Sequence, residues 1–469
     1  MGALSSPEFD PGSYRDPDSR VFRHDSVIYR CLSARALSDF KHVTASDFYQ
    51  QALKNQLIVA TEQLTDVSGL PPLDARWVAV LKHETVPVVS YPYEWPFSML
   101  KDAALLQLDL TVSALEHGLT LKDATPYNVQ WFGTSPRFID IGSFAKYEPG
   151  SPWAGYRQFC QQFFYPLLLQ AHKGVPYQPW LRGSLEGIEA EQCLSMLSVR
   201  DYLRGGVVPH VYLQAKAQSR YEDTRRDVSG DLKAAGFGVA LILNNVRRLR
   251  RLVQRLEWNP PRSTWSEYTS EHSYEEDDLA RKKSFVERVL ASRRWPLVWD
   301  MGSNTGTYSR VAAEHADYVL ALDADHLAVD RMYTALKQEQ RACVLPLIAD
   351  VADPSPGLGW RGRERLALGD RATPDLILCL ALIHHLVIGR NIPLDDLVEW
   401  LAAFGADLVI EYVGHKDPMV ERLLRNRVGQ EIEYSADALE RALARHFETV
   451  TDEALASGTR TLYHAREPR

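Results

Sequence analysis

The residues best placed to do chemistry sit at the ends of short apolar runs in the second half of the chain. Val298 to Tyr308 reads V-W-D-M-G-S-N-T-G-T-Y, an apolar run closing on Asp300, a turn carrying Gly302, Asn304 and Gly306, and then a helical stretch. Glycines in such a turn let the backbone reverse sharply and approach a ligand, with the amides of the following helix facing it. A second run, residues 318–322, ends in Asp323, where a carboxylate can accept both hydroxyls of a ribose. A third, residues 345–348, leads to Asp350, where a carboxylate can accept the amino group of an adenine. A glycine turn followed by acids at successive strand ends points to a nucleoside cofactor. The turn lacks the third glycine of a nicotinamide-binding fingerprint and the Lys-Ser/Thr pair of a P-loop, so neither chemistry is expected.

A fourth run, residues 375–380, is followed by A-L-I-H-H-L, which puts His384 and His385 where a substrate would meet that cofactor. An imidazole titrates near neutrality and can take a proton from a reacting group. A fifth run, residues 407–410, delivers Glu411 and Tyr412, then His415, Lys416 and Asp417. These make His384, His385, Glu411 and Tyr412 the catalytic candidates, with Glu411 orienting the base or the substrate. Two other readings stay open. Paired histidines also pack helix starts, and Glu411 could form a structural ion pair with Lys416 or Arg427. No H-x-E-x-H or H-E-x-x-H spacing occurs, so no metal is expected.

The C-terminal stretch, residues 293–469, resembles class I S-adenosylmethionine-dependent methyltransferases, whose first motif is a strand, an acid and a glycine-rich turn. The resemblance assigns Gly302, Asn304 and Gly306 to the loop beside the methionine part of S-adenosylmethionine, and Asp300 to its amino group through the loop or a water. It assigns Asp323 to the ribose and Asp350 with Val351 to the adenine. Asn304 replaces the middle glycine of the family turn, a tolerable change because Asn also enters left-handed conformations. A-L-I-H-H-L, I-E-Y-V and R-T-L-Y-H-A-R resemble a bacterial nodulation-like group of these enzymes. The implied activity is methyl transfer to oxygen or an acidic carbon of a small or medium-sized metabolite. The polar-Pro-Pro-aromatic signature of base N-methylation is absent after the fourth run.

In the N-terminal half, Asp123 and Asn128 lie five apart and Asp140-Ile141-Gly142 follows after a hairpin pattern. This weakly resembles the catalytic loop and D-x-G segment of protein-kinase-like and aminoglycoside-kinase-like folds, in which the matching residues act as base and magnesium ligands. Leu121 stands where the family has histidine, and residues 21–57 contain no glycine to cover a phosphate. The expectation is therefore a kinase-like domain that holds the acceptor, with Asp123, Asn128 and Asp140 as candidate contacts. An ATP-dependent small-molecule kinase is the alternative. Trp265 and Tyr268, in an otherwise polar stretch, are further substrate-binding candidates on a possible lid.

These residues need elements to position them. The expected fold is α/β: a C-terminal doubly wound, Rossmann-like domain over residues 293–469 and a mixed α+β, possibly kinase-like, domain over residues 21–220. Residues 1–20 read as a flexible leader and 221–292 as a helical connector. Helices are expected over residues 45–63, 99–117 and 279–290, and strands over 77–81, 86–90, 128–132 and 137–141. A further helical pattern ends in the arginine run 247–255, whose charges read as a solvated face. The chain has 469 residues, too many for one core, a net charge of -8 and five dispersed cysteines. That balance offers no strong nucleic-acid signal, the cysteines suit a reducing cytoplasm, and no run is long enough for a membrane. A monomer or homodimer is expected.

Overall fold

The computed structural model describes residues 7–221, 238–260, 276–425, 427 and 432–469. Two compact units emerge: Met1–Trp131 with Pro136–Asn259 and Gly357–Leu366, and Phe132–Ser135 with Pro260–Pro356 and Ala367–Arg469. Trp265 and Tyr268 lie outside the described residues.

The first unit begins with a hairpin of β1 (Ser19–His24) and β2 (Val27–Leu32), turned at Asp25 and Ser26, both with positive φ. Helices α1 (Ala34–Thr44) and α2 (Asp47–Lys54) follow, each started by a serine whose side chain accepts a free backbone N–H. Then β3 (Thr61–Gln63) and β4 (Ala79–His83) complete an antiparallel sheet of order β1-β2-β4-β3. The helix expected over residues 45–63 stops early. Gln56 adopts a φ of 55°, and residues 57–59 instead exchange backbone hydrogen bonds with Phe138. Residues 86–90 form no strand: Pro87 has no N–H to donate, and the Ser90 N–H goes to the side chain of Gln130.

Helix α3 (Phe97–Glu116) fills the centre of this unit with Leu100, Ala103, Ala104, Leu108 and Leu110. Short strands β5 (Leu119–Leu121), β6 (Val129–Phe132), β7 (Ser135–Phe138) and β8 (Phe144–Lys146) pair as β5-β8 and β6-β7. Helix α4 (Val239–Arg255) packs on α3 through Ile242, Val246, Leu249 and Val253. Its arginines are less idle than a solvated face implies, since Arg247 pairs with Glu116 and Arg250 with Asp109.

Residues 9–15 are held by side-chain contacts within the first unit. Phe9 packs edge-on against Phe22, while Tyr14 and Arg15 donate to the buried carboxylate of Glu364 at 2.9 and 3.0 Å. A buried carboxylate must be paired, and here the pairing tethers residues that composition alone marks as free.

The second unit takes in α5 (Glu276–Leu290), whose Phe285, Val286, Val289 and Leu290 join its core. Residues 221–292 therefore make no separate body among the described residues: α4 belongs to one unit and α5 to the other. Strand β9 (Trp295–Met301), helix α6 (Thr307–Ala313), β10 (Ala316–Asp323), α7 (His326–Gln338) and β11 (Val344–Ile348) form the first half of a doubly wound fold. Strand β12 (Leu376–Cys379), α8 (Leu394–Ala402), β13 (Asp407–Val413), α9 (Pro418–Arg425), α10 (Ala436–His446), β14 (Phe447–Ala454) and β15 (Arg460–Pro468) form the second. The sheet order is β11-β10-β9-β12-β13-β15-β14, with β9 to β13 parallel and β15 antiparallel to both of its neighbours. Connections run outward in opposite directions from β9 and β12, so the sheet switches topology between them, and open sheets of this kind bind ligands beyond the carboxyl ends of the strands at such a point. No helix among the described residues is long and apolar enough to cross a membrane.

Candidate functional site

Two loops meet at that switch point. The first follows β9 and holds three left-handed residues, Gly302, Asn304 and Gly306, at φ of 73°, 50° and 81°. A Cβ on Gly302 would lie 3.2 Å from Leu382 Cδ1 in the second loop, which follows β12, and one on Gly306 would lie 2.6 Å from Met332 Sδ of α7. Both positions have left-handed φ, which favours glycine, and at Gly306 a side chain would also have to displace Met332. Asn304 takes the left-handed state expected of it.

Asp323, ending β10, staples this turn: its carboxylate accepts the N–H of Asn304 at 2.7 Å and that of Asp325 at 2.8 Å. Burial raises its pKa. Each oxygen still has a second acceptor position for a ligand hydroxyl. Asp300 is buried and accepts from Ser309 Oγ at 2.5 Å, and burial pushes its carboxyl up to about 6. Asp350 holds its own turn, accepting the Ala352 N–H at 2.9 Å and Arg390 at 2.8 Å, with Val351 half-buried between.

Several buried polar atoms along this edge have no hydrogen-bond partner: Ser303 Oγ, Asn304 Oδ1, His326 Nδ1 and both ring nitrogens of His384. An unsatisfied buried group costs about 1–3 kcal/mol, so atoms of this kind at the switch point are candidates for contact with a ligand. The donor and acceptor set suits the polar parts of a nucleoside and an amino acid. His384 is 1% exposed, its ring 4.1 Å from that of His385. Burial first, and then the charges of His385, Arg460 and Lys282, hold His384 well below the usual imidazole range. Burial brings His385 down to about 4.

Glu411 and Tyr412 part company, because successive residues of a strand point to opposite faces. Tyr412 stacks on Tyr434 with ring centroids 5.1 Å apart. Glu411 is fully buried and bonded to Lys282 Nζ at 2.6 Å and to Arg460 at 3.1 Å, and Arg460 also reaches Asp417 at 2.6 Å. Burial works against the Glu411 carboxylate, but Lys282 and Arg460 outweigh it and set its pKa below the ordinary value. The ion pair is thus real with different partners from Lys416 and Arg427; Arg427 donates to the Gly389 carbonyl. Lys282 and Arg460 were not singled out by spacing. Lys282 precedes Phe285 and Val286 by three and four positions, on the apolar face of its helix, which is the one local sign of a buried charge.

In the first unit Asp123, Asn128 and Asp140 come together, which by itself does not show a kinase-like domain. Asn128 donates to Asp123 and to Ser143 Oγ, both at 3.2 Å, and Ser143 donates to Asp140 at 2.6 Å. Arg30 of β2 meets Asp140 at 3.0 Å. Burial raises the pKa of Asp123, with Asp140 adding to the effect. Burial also opposes the charge of Asp140, but Arg30 and Ser143 reverse that and lower its pKa. Among the described residues no group of three or more His, Cys, Asp or Glu side chains could hold a metal ion. A small cavity beside these residues is lined by Arg30, Arg35, Asp18, Asp39, Lys122 and Gly142 among others.

No family model matches the chain. Among solved structures it is similar to the N-methyltransferase NodS from Bradyrhizobium japonicum WM9 in complex with S-adenosyl-L-homocysteine, at 12% identity over 44% of this chain and 100% of that one, with a TM-score of 0.31. It is also similar to magnesium protoporphyrin IX methyltransferase (ChlM) from Synechocystis PCC 6803, at 14% identity over 45% of this chain and 90% of that one, with a TM-score of 0.28. The nodulation protein NoeA of Rhizobium meliloti (strain 1021) is 33% identical over 471 residues, which span 99% of this chain and 97% of that protein. With a third of its residues shared along nearly the whole of both chains, the protein belongs to the family of the nodulation protein NoeA.

Proposed function

We propose that the protein is an S-adenosylmethionine-dependent methyltransferase whose acceptor is a small or medium-sized molecule, methylated on oxygen or an acidic carbon. The observation that carries this reading is the pair of loops in near contact at the switch point, edged by Ser303, Asn304 and His384 with buried polar atoms left unpaired. S-adenosylmethionine, when bound, supplies a methyl group activated on sulfur. Asp323 holds the ribose hydroxyls with its remaining acceptor positions, and Ser303 and Asn304 take polar atoms on the amino-acid side. Asp350 and Val351 form the adenine side, with Arg390 as the partner that Asp350 shares. His384 offers the acceptor a neutral imidazole as a hydrogen-bond acceptor, its pKa held too low for it to keep a proton, and His385 stands beside it as a second candidate. Glu411 supports the site as a buried counter-ion, and Tyr412, on the other face of the sheet, takes no part in the chemistry.

The first unit we assign to holding a ligand through Asp123 and Asn128, without phosphoryl transfer, because Arg30 occupies the carboxylate of Asp140 that a magnesium ion would need. Calorimetry of the full chain tests the main reading. S-adenosylmethionine and S-adenosyl-L-homocysteine should both bind, and less tightly to Asp323→Ala; no heat with either compound rejects it.

A further inference from the structure

Val199 and Leu203 are the most exposed large apolar side chains among the described residues, at 86% and 92%. Both sit on one 3-10 turn of the first unit, Val199–Leu203, four positions apart. The turn is held so that these two point away from the body. Its only acid, Asp201, is buried and accepts the N–H and the hydroxyl of Ser198, both at 2.7 Å, and Arg204 Nε at 2.9 Å, and it pairs with Lys173 at 2.5 Å. The chain then turns back at Gly206, whose φ is 90°, and buries Val207 and Val211 completely. Tyr202 of the turn meets Tyr212 edge-on with ring centroids 5.5 Å apart, and Lys216 Nζ lies 4.7 Å from the Tyr212 ring centroid. The turn and the start of the helix Leu213–Tyr221 therefore present one surface, to which Leu213 adds a side chain 53% exposed. Arg200 and Lys216 are exposed on it, and Asp201 is the only acidic residue between positions 198 and 217.

We infer that this surface docks the protein on an anionic lipid layer, with Val199 and Leu203 entering the apolar region. Exposed apolar side chains grouped in one place mark an interaction site, and a tethered turn that keeps two of them in water does so at a cost in solubility. The order of groups outward from the body matches a membrane boundary. The half-buried tyrosines, amphipathic rings suited to the headgroup level, lie nearer the body, and the apolar tips stand beyond them. Arg200 and Lys216 supply attraction to lipid phosphates. The whole chain carries a net charge of -8, so attraction to an anionic layer has to come from a local surface of this kind, where the one acid is already spent on Ser198, Arg204 and Lys173. A second copy of the chain suits the surface less well, because a two-fold contact would set the same cations against each other. The inference is independent of the methyl-transfer reading.

The test is co-sedimentation of the full chain with vesicles of phosphatidylcholine containing phosphatidylglycerol, and with vesicles of phosphatidylcholine alone. The native chain should bind the anionic vesicles, less tightly as salt is raised, and bind the neutral ones weakly. Leu203→Asp should weaken binding to the anionic vesicles roughly tenfold or more, since it removes one apolar tip and adds a repelled charge. Arg200→Gln and Lys216→Gln should each weaken it about fivefold. Leu203 and Arg200 stand in solvent, so the melting temperatures of their variants should match the native one, which separates lost docking from lost folding. A native chain that stays in solution beside anionic vesicles overturns the inference. So does a Leu203→Asp variant that binds them as tightly as the native chain, because charge alone would then account for the binding. If light scattering instead shows a concentration-dependent dimer that Leu203→Asp abolishes, with no vesicle binding, the surface belongs to a second copy and the lipid assignment falls.

Discussion

The two units contain polar clusters that differ in how their charged groups are paired. In the second unit, Ser303, Asn304 and His384 keep buried polar atoms without partners, while the charged groups behind them are paired off among themselves. In the first unit Asn128, Ser143 and Arg30 draw Asp123 and Asp140 into one network, in which Asp123 Oδ1 and Arg30 Nε remain buried without a hydrogen bond. Both clusters satisfy a motif by spacing. The difference lies in which groups have been used up within the protein, and a buried polar group costs least when it is either paired at once or reserved for a ligand.

The largest effect should come from the unpaired imidazole. His384→Ala is expected to slow the chemical step by roughly 10²- to 10⁴-fold while cofactor affinity stays nearly constant, as loss of a group that orients the acceptor requires. Single-turnover methylation, with affinity measured alongside, checks this. An unchanged rate would make His384 a packing residue and erase the contrast between the clusters.

Next is the paired charge behind it. Glu411→Gln leaves two cations facing one fewer anion and should destabilise the fold by about 3–5 kcal/mol at neutral pH, as removing one partner of a buried pair does. The folded Glu411 pKa lies below its ordinary value, so its stabilisation is complete above the ordinary glutamate range and lost as the pH falls through the lower folded value. The gap between native and variant stability in denaturant titrations should therefore close in acid. A gap that stays constant with pH would mean that the pair contributes by packing alone.

Asp323→Ala should weaken S-adenosyl-L-homocysteine roughly 10- to 100-fold, the cost of hydrogen bonds to a charged group at about 1.5–3 kcal/mol. Asp140→Ala should leave that affinity unchanged. Equal losses from both substitutions would tie the two clusters to one ligand.

How much of this could be read from the sequence depends on distance along the chain. The glycine turn, the strand-end acids and the left-handed Asn304 are local features, and each falls where its spacing puts it. Helix α3 is equally local, its stripe continuous over twenty residues. The helix expected over residues 45–63 fails because the bonds that replace its second half come from Phe138, far along the chain. The same holds for charge. Glu411 is 129 residues from Lys282, and Glu364 is 349 from Arg15, so neither partner lies within reach of a spacing rule. Motif reading found acids in both units but could not tell which carboxylates would be spent on an arginine.

The smallest expected effect concerns the first unit, where the informative result is close to nothing. A magnesium-bound nucleotide needs Asp140 and Asn128 as ligands, yet Asp140 is held by Arg30 at 3.0 Å and Asn128 turns its amide toward Asp123. Displacing the guanidinium would leave a cation without its partner in a place where both side chains are mostly shielded, at 13% and 20% exposure. Magnesium with ATP should therefore leave the melting temperature of the full chain where it was. Arg30→Ala frees the carboxylate and should lower stability by about 1–3 kcal/mol, the cost of leaving one charged partner unsatisfied. If that variant, but not the native chain, gains a magnesium-dependent thermal shift with ATP, then Arg30 alone closes the cluster. If the native chain already shows the shift, the arginine yields to the metal, and the first unit is open after all.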